Sequence, residues 1–164
     1  MPTATPEGRH GKAVELAEAG QYQEALDAVE RHLDESPDDT EALNDAAVLL
    51  HCLDRSDMAV EYLERARQLS PDNPEIIWNL VEAHLAEAEA DQARPLFDLM
   101  DKAGILNIDV LNRAADIFLN QGNLAAASEM LERSLRIEPK QEILKPMIEA
   151  IRHKMAVGPG QSGR

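Results

Sequence analysis

Few residues in this sequence combine the type and the spacing that catalysis requires. His51 and Cys52 are adjacent, so on a helix their side chains diverge by about 100° and do not readily grip one metal ion. His84 could approach His51 in a fold, but no residue is spaced to act as a base for the Cys52 thiol. No phosphate-binding glycine loop, HExxH motif or GxSxG motif is present. The sequence therefore predicts a protein that is not an enzyme, with no catalytic residue, cofactor or metal site.

The charge balance indicates which partners to expect. The 164 residues include 16 Lys and Arg against 31 Asp and Glu, a net charge of −15. Such a chain repels phosphate backbones and anionic membrane surfaces, so we expect neither nucleic acid nor a membrane as its partner. A basic protein or peptide is the electrostatic complement, although a solvated acidic exterior explains the same charge.

Cysteine usage and apolar runs indicate the compartment. Cys52 is the only cysteine, which excludes an intramolecular disulfide bond. The N-terminal stretch MPTATPEGRHGK is polar and has no apolar stretch behind it, so we expect no signal peptide. No apolar run approaches the ~18 residues that a membrane helix needs. These features predict a cytoplasmic protein.

The elements that would position binding residues follow from an internal repeat. Hydrophobic residues make up 44% of the chain and aromatic residues 3%, a composition that favours helix over sheet. Windows that begin at residues 6, 40, 74 and 108 align without insertion, and we call the distance between their starts the repeat step. A small residue recurs at Ala25, Ala59, Ala93 and Ala127, and four positions later a larger apolar residue recurs at Val29, Leu63, Phe97 and Leu131.

Each window predicts two helices joined by a short turn. In the second window, apolar residues recur at spacings of three and four over residues 43–53 and again over residues 59–69. Gly20 and Gly122 fit the turns of windows one and four because glycine adopts positive φ at little cost. Asp57 is the expected N-cap in window two. The recurring alanines lie where paired helices approach most closely, and a larger side chain there would cost about 1–3 kcal/mol.

The A-x3-apolar pattern, closed by Pro37, Pro71 and Pro139, resembles the tetratricopeptide repeat over about residues 6 to 141. The resemblance implies an all-α fold, a right-handed superhelix (solenoid) of four helix pairs. Beyond it, one apolar stripe predicts a C-terminal capping helix or, alternatively, a helix offered to another chain; its members are Ile143, Leu144, Met147, Ile148, Ile151 and Met155. The expected segments are a flexible N-terminus 1–5, repeats 6–39, 40–73, 74–107 and 108–141, a capping helix 142–156, and a flexible tail or linker 157–164.

In this family, the first helix of each pair lines a concave groove that commonly takes an extended peptide or a partner's helix. Trp78 would anchor a partner if it faces solvent, and would be a packing residue if it rests against a neighbouring helix. Carried over by position, the resemblance assigns partner binding to Asn44, Asp45, Val48, His51, Trp78, Asn79, Glu82, Asn112, Arg113 and Asp116. The same faces also include Glu7, His10, Val14, Glu18, Glu41, Cys52, Glu75, Leu85, Asp109, Leu119 and Asn120.

Acidic residues outnumber cations in this predicted groove, which favours a basic or amphipathic ligand. Family members that hold acidic chaperone C-termini use a clamp of lysine, arginine and asparagine. Only Asn79 and Arg113 match that clamp, while Val48 replaces an asparagine and Asp109 reverses a positive charge, so carboxylate capture is disfavoured. We therefore predict a protein–protein interaction adaptor or scaffold. The alternatives are an interaction segment of a larger multidomain enzyme, such as a transferase, and a self-assembling oligomer.

Overall fold

The computed structural model describes residues 6–157, with side chains described from residue 11 onward. Within that range the chain forms nine α-helices and no strand, which confirms the all-α prediction. The first helices of the predicted pairs follow one another at the repeat step. The helices are α1 Pro6–Glu18, α2 Tyr22–Glu35, α3 Thr40–Cys52, α4 Ser56–Leu69, α5 Pro74–Ala86, α6 Ala90–Lys102, α7 Ile108–Asn120, α8 Leu124–Ile137 and α9 Leu144–Val157.

Consecutive helices pack against each other along the whole described chain, which is the arrangement of a solenoid. The first helices of neighbouring pairs also meet, α3 with α5 and α5 with α7. The helices α3, α5 and α7 therefore form a continuous inner layer, and α4, α6 and α8 lie outside it. We call the exposed side of this inner layer the concave face.

The recurring alanines lie where the sequence places them, between packed helices. Ala25, Ala59, Ala93 and Ala127 are all completely buried. Their small side chains let the helix backbones approach closely, and the larger apolar residue one turn later fills the adjacent space. Each helix pair thus buries its apolar stripe only with the help of its neighbours.

The helix starts have two kinds of local structure. Asp39, Asn73 and Asn107 lie one repeat step apart, and each side chain caps a first helix by accepting a backbone N–H bond, 3.2 Å from Ala42 N in the case of Asp39. The predicted N-cap at Asp57 is wrong. Helix α4 begins at Ser56, and Arg55 holds the cap position without a side-chain bond.

The turns within the pairs share one left-handed residue. Gly20 and Gly122 have φ of 75° and 76°, as their positions in the repeat predict. At the corresponding turn positions of the second and third pairs, Asp54 and Ala88 have φ of 61° and 58°. The backbone of these two residues is in the left-handed conformation, which costs a non-glycine residue about 1–2 kcal/mol.

The last helix packs on α8 and covers part of its apolar surface. Leu144, Ile148 and Ile151 are buried, whereas Ile143 is 77% exposed and Met155 is 41% exposed. The predicted stripe is therefore only partly covered. Helix α9 also extends to Val157, the first residue of the predicted tail. The repeat boundaries stay predictions, and segments 1–5 and 158–164 lie outside the described residues.

Candidate functional site

The concave face contains a cavity of about 470 Å³, which we call the central cavity. It is lined by residues of α3, α5 and α7, with α4 behind them. Because these helices come from three successive pairs, no single repeat could form it. Six residues that the sequence assigns to partner binding line this cavity: Val48, His51, Trp78, Asn79, Glu82 and Arg113.

The floor of the central cavity is apolar and built largely from small side chains. Ala47, Ala59 and Ala83 line it, and each is at most 2% exposed. Ala83 is the informative one, because the positions one repeat step before and after it hold Leu49 and Ile117. The third pair therefore lacks a large side chain at a position where its neighbours have one, and the cavity lies there.

Trp78 forms part of the cavity wall. Its ring is half-buried and packs against the hydrophobic core, and it also borders the cavity. Trp78 is therefore a packing residue on one side and is available to a partner on the side that borders the cavity. The side that faces the cavity offers a large, rigid apolar area of the kind that dominates binding energy in protein interfaces.

An ion pair crosses the rim of the cavity. Arg113 Nη1 on α7 donates to Glu82 Oε1 and Oε2 on α5 at 3.0 Å and 2.7 Å. The arginine side chain is 47% exposed, so the pair contributes little to stability. Its effect is to fix both side chains beside the cavity, where Asp109 adds a second carboxylate.

The asparagine amides link neighbouring helices. Asn44 is 5% exposed, donates from Nδ2 to Glu75 Oε1 at 3.1 Å, and accepts from Asn79 Nδ2 at 2.9 Å. Asn112 Nδ2 donates to Gln141 Oε1 at 3.3 Å. These contacts join first helices to the elements that follow them, and they hold the buried Asn44 amide in place between α3 and α5.

The two histidines with metal-ligand chemistry are held separately. His51 Nδ1 lies 2.7 Å from Ser56 Oγ at the rim of the central cavity. His84 is 7% exposed, and its Nδ1 lies 3.0 Å from Glu89 Oε2. Across residues 11–157, no three His, Cys, Asp or Glu side chains are grouped as metal ligands.

A second, lesser cavity of about 160 Å³ lies between α1 and α3 on the same face. Val14, Ala17 and Glu18 line it from α1, and Asp45 and Val48 line it from α3. The sequence reasoning named four of these residues but missed the cavity. The signal that could have found it is Ala17, because residues 85 and 119, at the same position in later windows, are leucines.

The remaining predicted groove residues lie outside the two cavities or are covered. Asp116 is exposed on α7 and lines neither cavity. Leu85, expected to face the groove, is instead 5% exposed and belongs to the core, because its side of α5 packs on the neighbouring helices. The side chains of Glu7 and His10 lie outside the described residues.

Comparison with known proteins identifies related sequences and folds. Three tetratricopeptide repeat profiles match residues 10–74, 53–104 and 108–141. The mouse protein named interferon-induced protein with tetratricopeptide repeats 3 is 30% identical over 122 residues, or 71% of this chain, and the match spans 30% of that protein's length.

Within residues 6–157, no helix is both long and apolar enough to span a membrane.

Solved structures share the fold. A crystal structure of MamA superposes with a TM-score of 0.75 at 16% identity, covering 93% of this chain and 83% of that chain. YrrB, described as a tetratricopeptide repeat protein with an unusual peptide-binding site, superposes with a TM-score of 0.73 at 20% identity. That alignment covers 90% of this chain and 76% of YrrB. At these identities the likeness extends to the fold alone.

Proposed function

The chain belongs to the tetratricopeptide repeat family, and on that premise we propose that it is a non-catalytic adaptor that binds a peptide segment of another protein on its concave face. The observation that carries the proposal is the central cavity, with its apolar floor and the half-buried Trp78 in its wall. An apolar recess with a few polar groups at its rim is the usual form of a binding site. The peptide-binding site named for YrrB supports the same use of the fold.

The charge of the concave face favours a basic or amphipathic partner. Glu82 and Asp109 line the central cavity, and Asp116 is exposed further along α7. Arg113 is the cation among the described lining residues, and it is already paired with Glu82. Together with a net charge of −15, this arrangement attracts cationic segments and repels acidic ones.

The experiment compares partners retained by wild type with those retained by groove variants, identified by mass spectrometry of a pull-down. Trp78→Ala removes the aromatic wall, and Asp116→Lys reverses an exposed charge near the cavity. We expect the retained partner to be lost with Trp78→Ala and weakened by Asp116→Lys and by added salt, because surface charge interactions are screened. Direct titration of the recovered partner would then measure each loss.

Two control variants match these changes away from the concave face. Met58→Ala truncates a side chain that is 41% exposed on α4, and Asp72→Lys makes the same charge reversal in an exposed loop. Both should retain the partner at wild-type levels. Equal retention by the groove variants and their controls would exclude the concave face as the binding site.

The other expectations from the sequence stay predictions. An interaction segment of a larger enzyme would leave catalysis to another domain, and the cytoplasmic location also stays a prediction. Self-association would use exposed apolar residues near the C-terminal end, where Ile137 is 45% and Ile143 is 77% exposed. Light scattering over a concentration series would detect such association, and a constant monomer mass would exclude it.

A further inference from the structure

Two cavities of the concave face, the central cavity and the lesser one, share one wall. Val48 lines the central cavity on one side and the lesser cavity on the other, and its side chain is 40% exposed. We propose that the cavities form one two-pocket site that takes an extended, cationic peptide with two apolar side chains four residues apart. This inference rests on the proposed adaptor function and specifies the ligand of the same face.

Both cavities arise from the same kind of substitution within the repeat. The central cavity lies over Ala83, where the neighbouring pairs have Leu49 and Ile117. The lesser cavity lies beside Ala17, where the third and fourth pairs have Leu85 and Leu119. Other helix pairs of the solenoid hold a leucine or isoleucine at these two positions without disrupting the stack. An alanine there therefore leaves a space that a larger side chain would fill.

The spacing of the cavities sets the spacing of the two anchors. The lesser cavity lies between α1 and α3, and the central cavity is centred on α5. Packed helix axes are about 8–10 Å apart. The distance from the midpoint between α1 and α3 to the axis of α5 is one and a half such spacings, or about 14 Å. Residues i and i+4 of an extended chain face the same side and are about 13 Å apart, which matches this distance.

The surface between the cavities favours an extended chain over a helix. Asn79 borders the central cavity and Asp45 borders the lesser one. An amphipathic helix would press its continuous apolar stripe against these polar groups, which would be desolvated without new partners. An extended chain instead presents backbone N–H and C=O groups there, and an amide or carboxylate can bond them.

The charges around the two cavities specify the residues beside the anchors. Carboxylates of Glu18 and Asp45 line the lesser cavity, those of Glu82 and Asp109 line the central cavity, and Arg113 is the one cation lining either among the described residues. Lysine or arginine beside the anchors therefore complements the site, and the flexible stems of these residues can lie along Val48.

The test uses two synthetic peptides of identical composition. Each is an acetylated, amidated heptapeptide of four lysines, one serine, one phenylalanine and one valine. The phenylalanine is second in both, and the valine is sixth in the first peptide and fifth in the second. Trp78, the only tryptophan, reports occupation of the central cavity through its fluorescence. We expect the first peptide to bind about tenfold more tightly, because only its valine reaches the lesser cavity.

Two variants fill the cavities with residues that the repeat accepts at the same positions. Ala17→Leu should abolish the preference between the peptides while leaving the Trp78 response to both. Ala83→Leu should weaken both peptides and reduce that response. Circular dichroism and the thermal midpoint confirm that each variant is folded. A preference that survives in Ala17→Leu would overturn the assignment of the lesser cavity.

The outcomes separate this inference from the proposed function. Equal binding of the two peptides to wild type would overturn the two-pocket site and leave the acidic groove as a site for basic segments. No binding of either peptide, by fluorescence and by calorimetry at low salt, would overturn both proposals. A third peptide, helix-forming and with its valine eleven positions after the phenylalanine, presents both side chains on one helix face about 16 Å apart. Tighter binding of that peptide would overturn the extended conformation.

Discussion

The third and fourth helix pairs occupy equivalent places in the solenoid, and four of the corresponding positions at which they differ are informative. The fourth pair has the residues that regular packing favours, including a buried aromatic side chain and a turn glycine. The third pair departs from them at all four positions, and two of its residues, Trp78 and Ala83, line the central cavity. The corresponding residues are Trp78 and Asn112, Ala83 and Ile117, His84 and Phe118, and Ala88 and Gly122.

This difference distinguishes residues that pack neighbouring helices together from residues that the packing of the helices does not require. Phe118 and Ala115 are completely buried in the fourth pair. In the third pair, Ala83 leaves a cavity and Ala88 takes a left-handed turn without being glycine. Departures from local rules that cluster in one region are typical of functional sites, because a binding surface must keep features that packing would remove.

The largest expected effect is on the packing side of the comparison. Phe118→Ala should lower the free energy of unfolding by about 3–5 kcal/mol, because it empties a completely buried site at the contact of α7 and α8. Trp78→Ala should cost less, about 1–2 kcal/mol, since that side chain is only partly buried and borders the cavity. Urea unfolding followed by circular dichroism measures both changes.

Coincident transitions by two probes are needed before these free energies are compared, because repeat arrays can unfold in parts. Equal costs for Phe118→Ala and Trp78→Ala would show that Trp78 is a core residue. The distinction between a packed fourth pair and an open third pair would then be lost.

A smaller effect comes from the turns of the two pairs. Gly122→Ala should destabilise the protein by about 1 kcal/mol, because φ is 76° there, and an added Cβ meets no atom within 4 Å, so backbone strain is the whole cost. Ala88→Gly should have the opposite sign and a gain of at most about 1 kcal/mol, since relief of strain is offset by the entropy of glycine. Thermal unfolding of both variants measures the signs, and a loss of stability in Ala88→Gly would contradict the strained turn.

The repeat made the fold predictable from the sequence. The starts of the first helices of the four pairs follow from the repeat step, and the burial of the recurring alanines follows from the close approach of paired helices. The cap of α4 was not predicted, because Asp57 and Ser56 both suit a helix start and the chain geometry decides between them.

The candidate site was predictable only in part. The resemblance placed Val48, Trp78 and Glu82 on one face, but it could not show that Asn44 is committed to Glu75 and Asn79. Such contacts depend on how far neighbouring helices rotate, which hydrophobic periodicity leaves undetermined. The cavities themselves depend on what is missing at Ala17 and Ala83, and a pattern search for shared residues passes over such positions.

The smallest effect concerns a carboxylate that joins the fourth pair to α9. Glu132 Oε1 accepts from Ser128 Oγ at 2.8 Å and from Arg152 Nη2 at 3.0 Å. The Ser128 hydrogen bond lowers the pKa of Glu132 below its ordinary value of 4.5; burial opposes this, and Arg152 adds to the lowering. At the equivalent position in the third pair, Asp98 instead pairs with Arg133 Nη1 at 2.9 Å.

A lowered folded-state pKa means that Glu132 stabilises the fold above its unfolded pKa, and that this stability is lost as pH falls through the folded value. Glu132→Gln should therefore be less stable than wild type at pH 7, with the difference shrinking below about pH 5. Glu149→Gln removes one exposed carboxylate of α9 as a matched control. Thermal midpoints between pH 3 and pH 7 measure the difference. Parallel profiles for wild type and Glu132→Gln would show that the ionised carboxylate of Glu132 makes no contribution to holding α9 against the fourth pair.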